Sequence, residues 1–126
     1  MAAVRHSKQR EAIYQELRSR YDHPTAEELY ASLKPGMPNL SLATVYRNLR
    51  MLAGQGNVLV LHTEAADHFD ANVCPHYHFY CHHCQHIYDV DIPEIAAIDA
   101  AAKSLDEGTA DGYHLMFTGR CRACSN

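Results

Sequence analysis

The sequence predicts an α+β chain: an N-terminal winged helix-turn-helix domain over residues 1–70, a hinge at 71–76, and a small α/β dimerisation domain with a structural zinc site over 77–126. Three observations carry this prediction. Three helical segments precede a two-stranded stretch in the first half. Two Cys-x-x-Cys pairs, Cys81/Cys84 and Cys121/Cys124, bracket most of the second. Charge divides at the same place. Residues 1–56 carry eight Lys and Arg against five acids, a net +3, whereas residues 57–126 carry three against ten, a net −7. Such an asymmetry suggests a basic working half joined to an acidic half with another task. A length of 126 residues suits one ordinary domain or two small ones, and 47% apolar content is that of a folded chain. No apolar run reaches membrane-spanning length, so no membrane partner is expected.

The first helix is expected over Lys8 to Arg20, where Ile13 and Leu17 stand four apart with charges elsewhere. The second follows His23-Pro24, because Thr25 and Glu28 have the spacing of a capping box ahead of Leu29 and Leu33. The stretch Lys34 to Asn39 holds two prolines and a glycine and must break the helix. Ser41 can then cap a third helix, Leu42 to Ala53. Leu42, Val45, Leu49 and Leu52 form its inward stripe. The opposite face carries Ala43, Arg47 and Arg50, flanked by Thr44 and Tyr46, a shape that suits a major groove. A solvated helix face is the commoner meaning of exposed arginines. Two helices before it and a hairpin after it, Asn57 to His62 and Asp67 to Asp70, favour DNA. The candidate DNA contacts are Ser41, Ala43, Thr44, Tyr46, Arg47 and Arg50.

Beyond the hinge, strands are expected at Tyr77 to Cys81 and Ile87 to Val90, a helix at Glu94 to Leu105, and a last strand at Tyr113 to Thr118. A core of this size is marginal alone and calls for a metal or an oligomer. Two thiolates three positions apart can hold one ion from a tight turn, and two such pairs complete a tetrahedral zinc shell. Disulfides or a redox pair would use the same spacing. No secretory signal is evident, so reducing, cytoplasmic conditions are expected and zinc on Cys81, Cys84, Cys121 and Cys124 is favoured. His76-x-His78 puts two imidazoles on one side of a strand, with Asp89 nearby. Nitrogen and carboxylate ligands without thiolate suit iron(II), manganese or exchangeable zinc. Taken alone, the pattern fits surface or core histidines equally well.

In order along the chain, HPTAEEL, SLATVYRNL, HFD, HYHFYCHHC, IYDV and CRAC resemble the ferric uptake regulator family, across nearly the whole length. The resemblance implies a homodimeric repressor that binds palindromic double-stranded operator DNA when metal-loaded, with the third helix for recognition. Within the family the likeness is to peroxide-sensing, PerR-type regulators, whose regulatory Fe2+ or Mn2+ is held by three histidines and two aspartates. The matching positions are His23, Asp70, His76, His78 and Asp89. Asp89 and Tyr113 favour this branch, since iron-uptake regulators more often have Glu at the first place and many have His at the second. The resemblance further implies that His23 and His76 are the residues peroxide oxidises. Cys74 has no role in the pattern. An iron- or manganese-responsive repressor of metal uptake without peroxide sensing is the alternative. From other classes, a small metalloenzyme would leave the arginine face unexplained and lacks a phosphate loop or HExxH motif, so no enzyme is expected. A zinc-stapled interaction module would have no salt-dependent DNA affinity.

Overall fold

Helix α1 spans Ala2–Arg18 in the computed structural model, which describes residues 2–73 and 77–125, with side chains from residue 8 onward. The expected ligand His76, Cys74 and part of the expected hinge lie outside the described residues. The chain is α+β and divides into two compact units, Met1–Cys74 and Pro75–Asn126. Helix α1 begins ahead of the expected Lys8 and stops short of Arg20. Ser19 ends it, donating its hydroxyl to the Glu16 carbonyl at 2.7 Å. The turn that follows is braced by Arg20, which donates to both carboxylate oxygens of Asp22, at 3.0 and 2.6 Å, and to Ser32 Oγ at 3.1 Å.

Helix α2 (Ala26–Leu33) starts from the expected capping box. The Glu28 amide donates to Thr25 Oγ1 at 3.2 Å, and the Thr25 amide donates to Glu28 Oε1 at 3.0 Å. It gives way to a 3-10 turn at Lys34–Gly36, since Pro35 offers no amide to continue the ladder. Lys34 Nζ closes the break on the carbonyls of Pro38 and Leu40. Helix α3 (Leu42–Gly54) is capped by Ser41, whose Oγ accepts from the Thr44 amide at 3.1 Å. The Asn57 amide bonds back to the Leu52 carbonyl at 3.0 Å. Asn57 is thereby spent on the helix end, and β1 runs Leu59–His62 rather than from Asn57. Strand β2 (Asp67–Asp70) pairs antiparallel with it, Leu59 facing Asp70 and His62 facing Asp67.

Ile13 and Leu17 of α1, Ala26 and Leu29 of α2, Leu40, Val45, Leu49 and Leu52 around α3, and Val58 and Phe69 of the hairpin region form one buried cluster. Each fully buried leucine or isoleucine contributes roughly 1.5–3 kcal/mol by leaving water. That cluster holds α3 with its opposite face outward.

The second unit is a three-stranded mixed sheet in the order β4-β3-β5. Strands β3 (Tyr77–Cys81) and β4 (Ile87–Val90) have the expected bounds and pair antiparallel, His78 opposite Asp89. Helix α4 is shorter than expected, Ala96–Ala102. Its N-cap, Ile95, has no side chain that can accept a hydrogen bond, none of its residues is buried, and Leu105 lies beyond its end, 48% exposed. Alanine propensity sustains two turns, and no packed stripe extends them. Strand β5 covers Met116–Gly119, not Tyr113 to Thr118, and runs parallel to β3. Tyr113 is committed elsewhere: its hydroxyl donates to Asp99 at 2.9 Å and lies 3.3 Å from the Tyr77 hydroxyl.

Candidate metal centres

Because β3 and β5 are parallel, their C-terminal ends lie side by side, Cys81 opposite Gly119. Each strand runs straight into a Cys-x-x-Cys turn. The sulfurs of Cys81, Cys84, Cys121 and Cys124 all lie within 4.8 Å of one another, and Cys84 Sγ to Cys121 Sγ is 3.8 Å. A tetrahedral zinc with bonds of about 2.3 Å requires about 3.8 Å between sulfurs. A disulfide would require about 2.05 Å, and all four cysteines are free. The donor set therefore fits zinc.

The backbone prepares these sulfurs for a cation. Amides of Cys84 and Cys121 donate to Cys81 Sγ at 3.4 and 3.3 Å, and these bonds, the Cys84 amide foremost, bring the Cys81 thiol down to about 5. The nearby Tyr88 side chain lowers the Cys121 thiol too, while the Cys121 sulfur drives the Cys124 thiol up to about 12. Four neighbouring thiols cannot all ionise without positive charge among them, and a divalent ion supplies it.

The nitrogen and carboxylate candidates form one pair in each unit. In the first, His23 Nε2 lies 3.2 Å from Asp70 Oδ2. Asp70 ends β2 and accepts the Asn72 amide on its other oxygen at 2.9 Å, which fixes the carboxylate plane. His23 is 3% exposed and has φ 52, a left-handed backbone. For a residue with a β-carbon this costs on the order of 1–3 kcal/mol and persists only when its surroundings impose it. In the second unit His78, 2% exposed, lies on β3 with Nε2 3.5 Å from Asp89 Oδ1 on β4. Imidazole with carboxylate suits iron(II) or manganese in both pairs.

On α3, Ser41, Ala43, Arg47 and Arg50 are exposed and Thr44 and Tyr46 half-buried, whereas Val45, Leu49 and Leu52 are buried. Tyr46 donates to Glu27 at 2.7 Å and Arg50 stacks 5.9 Å over its ring. Arg47 donates to Thr44 Oγ1 at 3.2 Å. Ser41 is the helix cap, as expected, its Oγ accepting from the Thr44 amide.

Two side chains escaped the sequence reading, and a third was seen in another role. Asn48 is buried and donates to the Thr44 carbonyl at 2.9 Å; three residues after Val45, it falls within the inward stripe. Tyr88 lines the same pocket as Cys121, with no signal in the spacing. His68, offered by the sequence only as part of a second metal site with His62 and His114, is 6% exposed; two residues before Asp70 on a strand, it shares Asp70's face.

A family model described as the ferric uptake regulator family matches residues 1–116. The peroxide-responsive repressor PerR of Staphylococcus aureus (strain USA300) is 36% identical over 126 residues, covering 99% of this chain and 85% of the relative. Among solved structures, the Helicobacter pylori ferric uptake regulator Fur, reported to have three functional metal-binding sites, superposes with a TM-score of 0.81 at 25% identity, over 94% of this chain and 81% of that one. The Campylobacter jejuni peroxide stress regulator superposes with a TM-score of 0.78 at 27% identity, over 96% and 92%. Among the described residues no helix is long and apolar enough to cross a membrane.

Proposed function

The chain belongs to the ferric uptake regulator family, and from that premise we propose that it is a metal-dependent transcriptional repressor that binds operator DNA as a homodimer and lets go when peroxide oxidises a histidine ligand. It works in the cytoplasm, with the first unit as a winged-helix DNA reader and the second as the dimerising unit. Zinc on Cys81, Cys84, Cys121 and Cys124 is structural. Fe2+ or Mn2+ on His23, Asp70, His76, His78 and Asp89 is regulatory. The observation that carries the peroxide reading is the 36% identity to a peroxide-responsive repressor over 99% of the chain. The thiol-free donor set of His23, Asp70, His78 and Asp89 agrees with it.

In this reading His23 and Asp70 bring one pair of ligands from the DNA-reading unit, and His78 and Asp89 another from the dimerising unit. Residues that share one ion favour the arrangement of units that lets them share it, by no more than its differential affinity. That arrangement sets two α3 helices at one half-site spacing. A bound ferrous ion would supply the redox chemistry that turns peroxide against a ligand. Oxygen added to the His23 or His76 ring weakens that ligand, and the units lose their common tie. Ser41, Ala43, Thr44, Tyr46, Arg47 and Arg50 face the groove.

The test is peptide mass spectrometry on iron-loaded protein after brief peroxide, with a manganese-loaded control and operator binding in parallel. One added oxygen on the His23 or His76 peptide, with DNA release for iron alone, is expected. Unmodified histidines, with metal-dependent DNA binding that ignores peroxide, would move the protein to an iron- or manganese-responsive repressor of metal uptake. The likeness to the Helicobacter pylori regulator favours that second reading. In either case Arg47→Ala is expected to weaken operator binding by about 1–3 kcal/mol and leave metal binding intact. Equal DNA affinity in a fluorescence titration would remove α3 from the interface.

A further inference from the structure

Strand β2 grips the loop before α2 with three consecutive residues. His68 Nδ1 lies 2.6 Å from the His23 carbonyl oxygen, the Phe69 amide donates to the Pro24 carbonyl at 2.9 Å, and Asp70 Oδ2 meets His23 Nε2 at 3.2 Å. His23, Pro24 and His68 are all buried. A carbonyl oxygen only accepts, so His68 Nδ1 carries the hydrogen and donates it. His23 is thus held at its carbonyl by His68 and at its ring by Asp70, and between these two points its backbone has φ 52.

We infer that His68 is a positioning residue for the regulatory site: its hydrogen bond to the His23 carbonyl holds His23 in the left-handed conformation that aims Nε2 at Asp70. The inference rests on the reading of His23 as a metal ligand. Without a donor at position 68 the His23 carbonyl is buried without this partner, and the left-handed backbone loses what offsets its strain. The peptide then relaxes, carrying the ring away from Asp70. Outer partners of this kind typically govern metal affinity through the orientation of the ligand they hold.

Side-chain geometry supplies the test. An asparagine amide nitrogen falls close to the place of Nδ1, whereas a glutamine amide lies one bond farther out. We would measure Mn2+ affinity by titration, and thermal unfolding with and without Mn2+, on zinc-loaded protein carrying His68→Leu, His68→Gln or His68→Asn. The leucine and glutamine variants should bind Mn2+ roughly ten- to hundredfold more weakly and lose most of the Mn2+-induced rise in midpoint. Asparagine should restore both to within a few-fold. Zinc content should not change. A merely structural role would instead lower the midpoint without Mn2+ and leave the affinity alone. Wild-type affinity in the glutamine variant, or an asparagine variant as weak as glutamine, overturns the inference, and this pair decides even if the leucine variant fails to fold. His23→Ala separates the two levels. If it leaves Mn2+ affinity unchanged, the ligand reading fails; if it weakens binding and the His68 variants do not, only the positioning role fails.

Discussion

Cys81→Ser is expected to abolish zinc binding and, with it, the cooperative unfolding of the second unit. Cys81 is 0% exposed, ends β3, and accepts amides from both Cys-x-x-Cys turns. Its sulfur therefore stands where three parts of the unit meet. A serine hydroxyl is smaller, stays protonated near neutral pH and is a poor zinc ligand, so the site would lose a donor and its closed shell. The second unit has few other resources. Among the described residues its buried apolar side chains are few, and α4 buries none. Elemental analysis should show the zinc falling from about one ion per chain to near none, and circular dichroism should show the second unit's transition disappearing. A serine variant that unfolds as the parent does would remove zinc from the fold. The disulfide alternative makes the opposite forecast, that a reductant alone destabilises the protein.

The second large effect concerns metal control of DNA binding. His23→Ala should leave little of the increase in operator affinity that Mn2+ brings, and Asp89→Ala in the other unit should do the same. The informative quantity is the double variant. If both residues serve one ion, either single change already breaks the tie, and the double variant should lose no more than the worse single one. Independent sites would give losses that add within about 0.3–0.5 kcal/mol. Additive losses in fluorescence anisotropy with and without Mn2+ would refute a shared ion. An unchanged metal response in His23→Ala would remove the first unit from regulation altogether.

Local signals in the sequence located most of the framework. Thr25 and Glu28 marked the start of α2, Ser41 that of α3, and the expected bounds of β3 and β4 match those observed. Each depends on a hydrogen bond or a pleat formed within a few residues, which spacing can express. The misplaced boundaries depend on distant commitments. Asn57 leaves β1 because Leu52 claims its amide, and Tyr113 leaves β5 because Asp99 and Tyr77 hold its hydroxyl. Helix α4 looked longer because Ile95, Ile98, Ala102 and Leu105 had helical spacing, but a stripe lengthens a helix only where something packs on it. At the candidate metal centres spacing singled out the four cysteines and His78 with Asp89, whereas His23 and Asp70 came only from the family resemblance. What His68 touches, the His23 carbonyl 45 residues back, becomes visible only in the folded chain.

The parallel pairing of β3 and β5 also bears on how the second unit forms. An antiparallel hairpin can close across a short turn in microseconds. A parallel pair cannot, and here His78 must find Met116 with β4 and α4 intervening. The entropy of closing that long loop is lost before any ladder bond compensates for it. Helices α1, α2 and α3 can collapse on near neighbours, so order should spread from the first unit while β5 is still searching. An ion that joins the two cysteine turns would shorten that search by holding the far ends of the two strands together, acting as a folding nucleus before it acts as a staple.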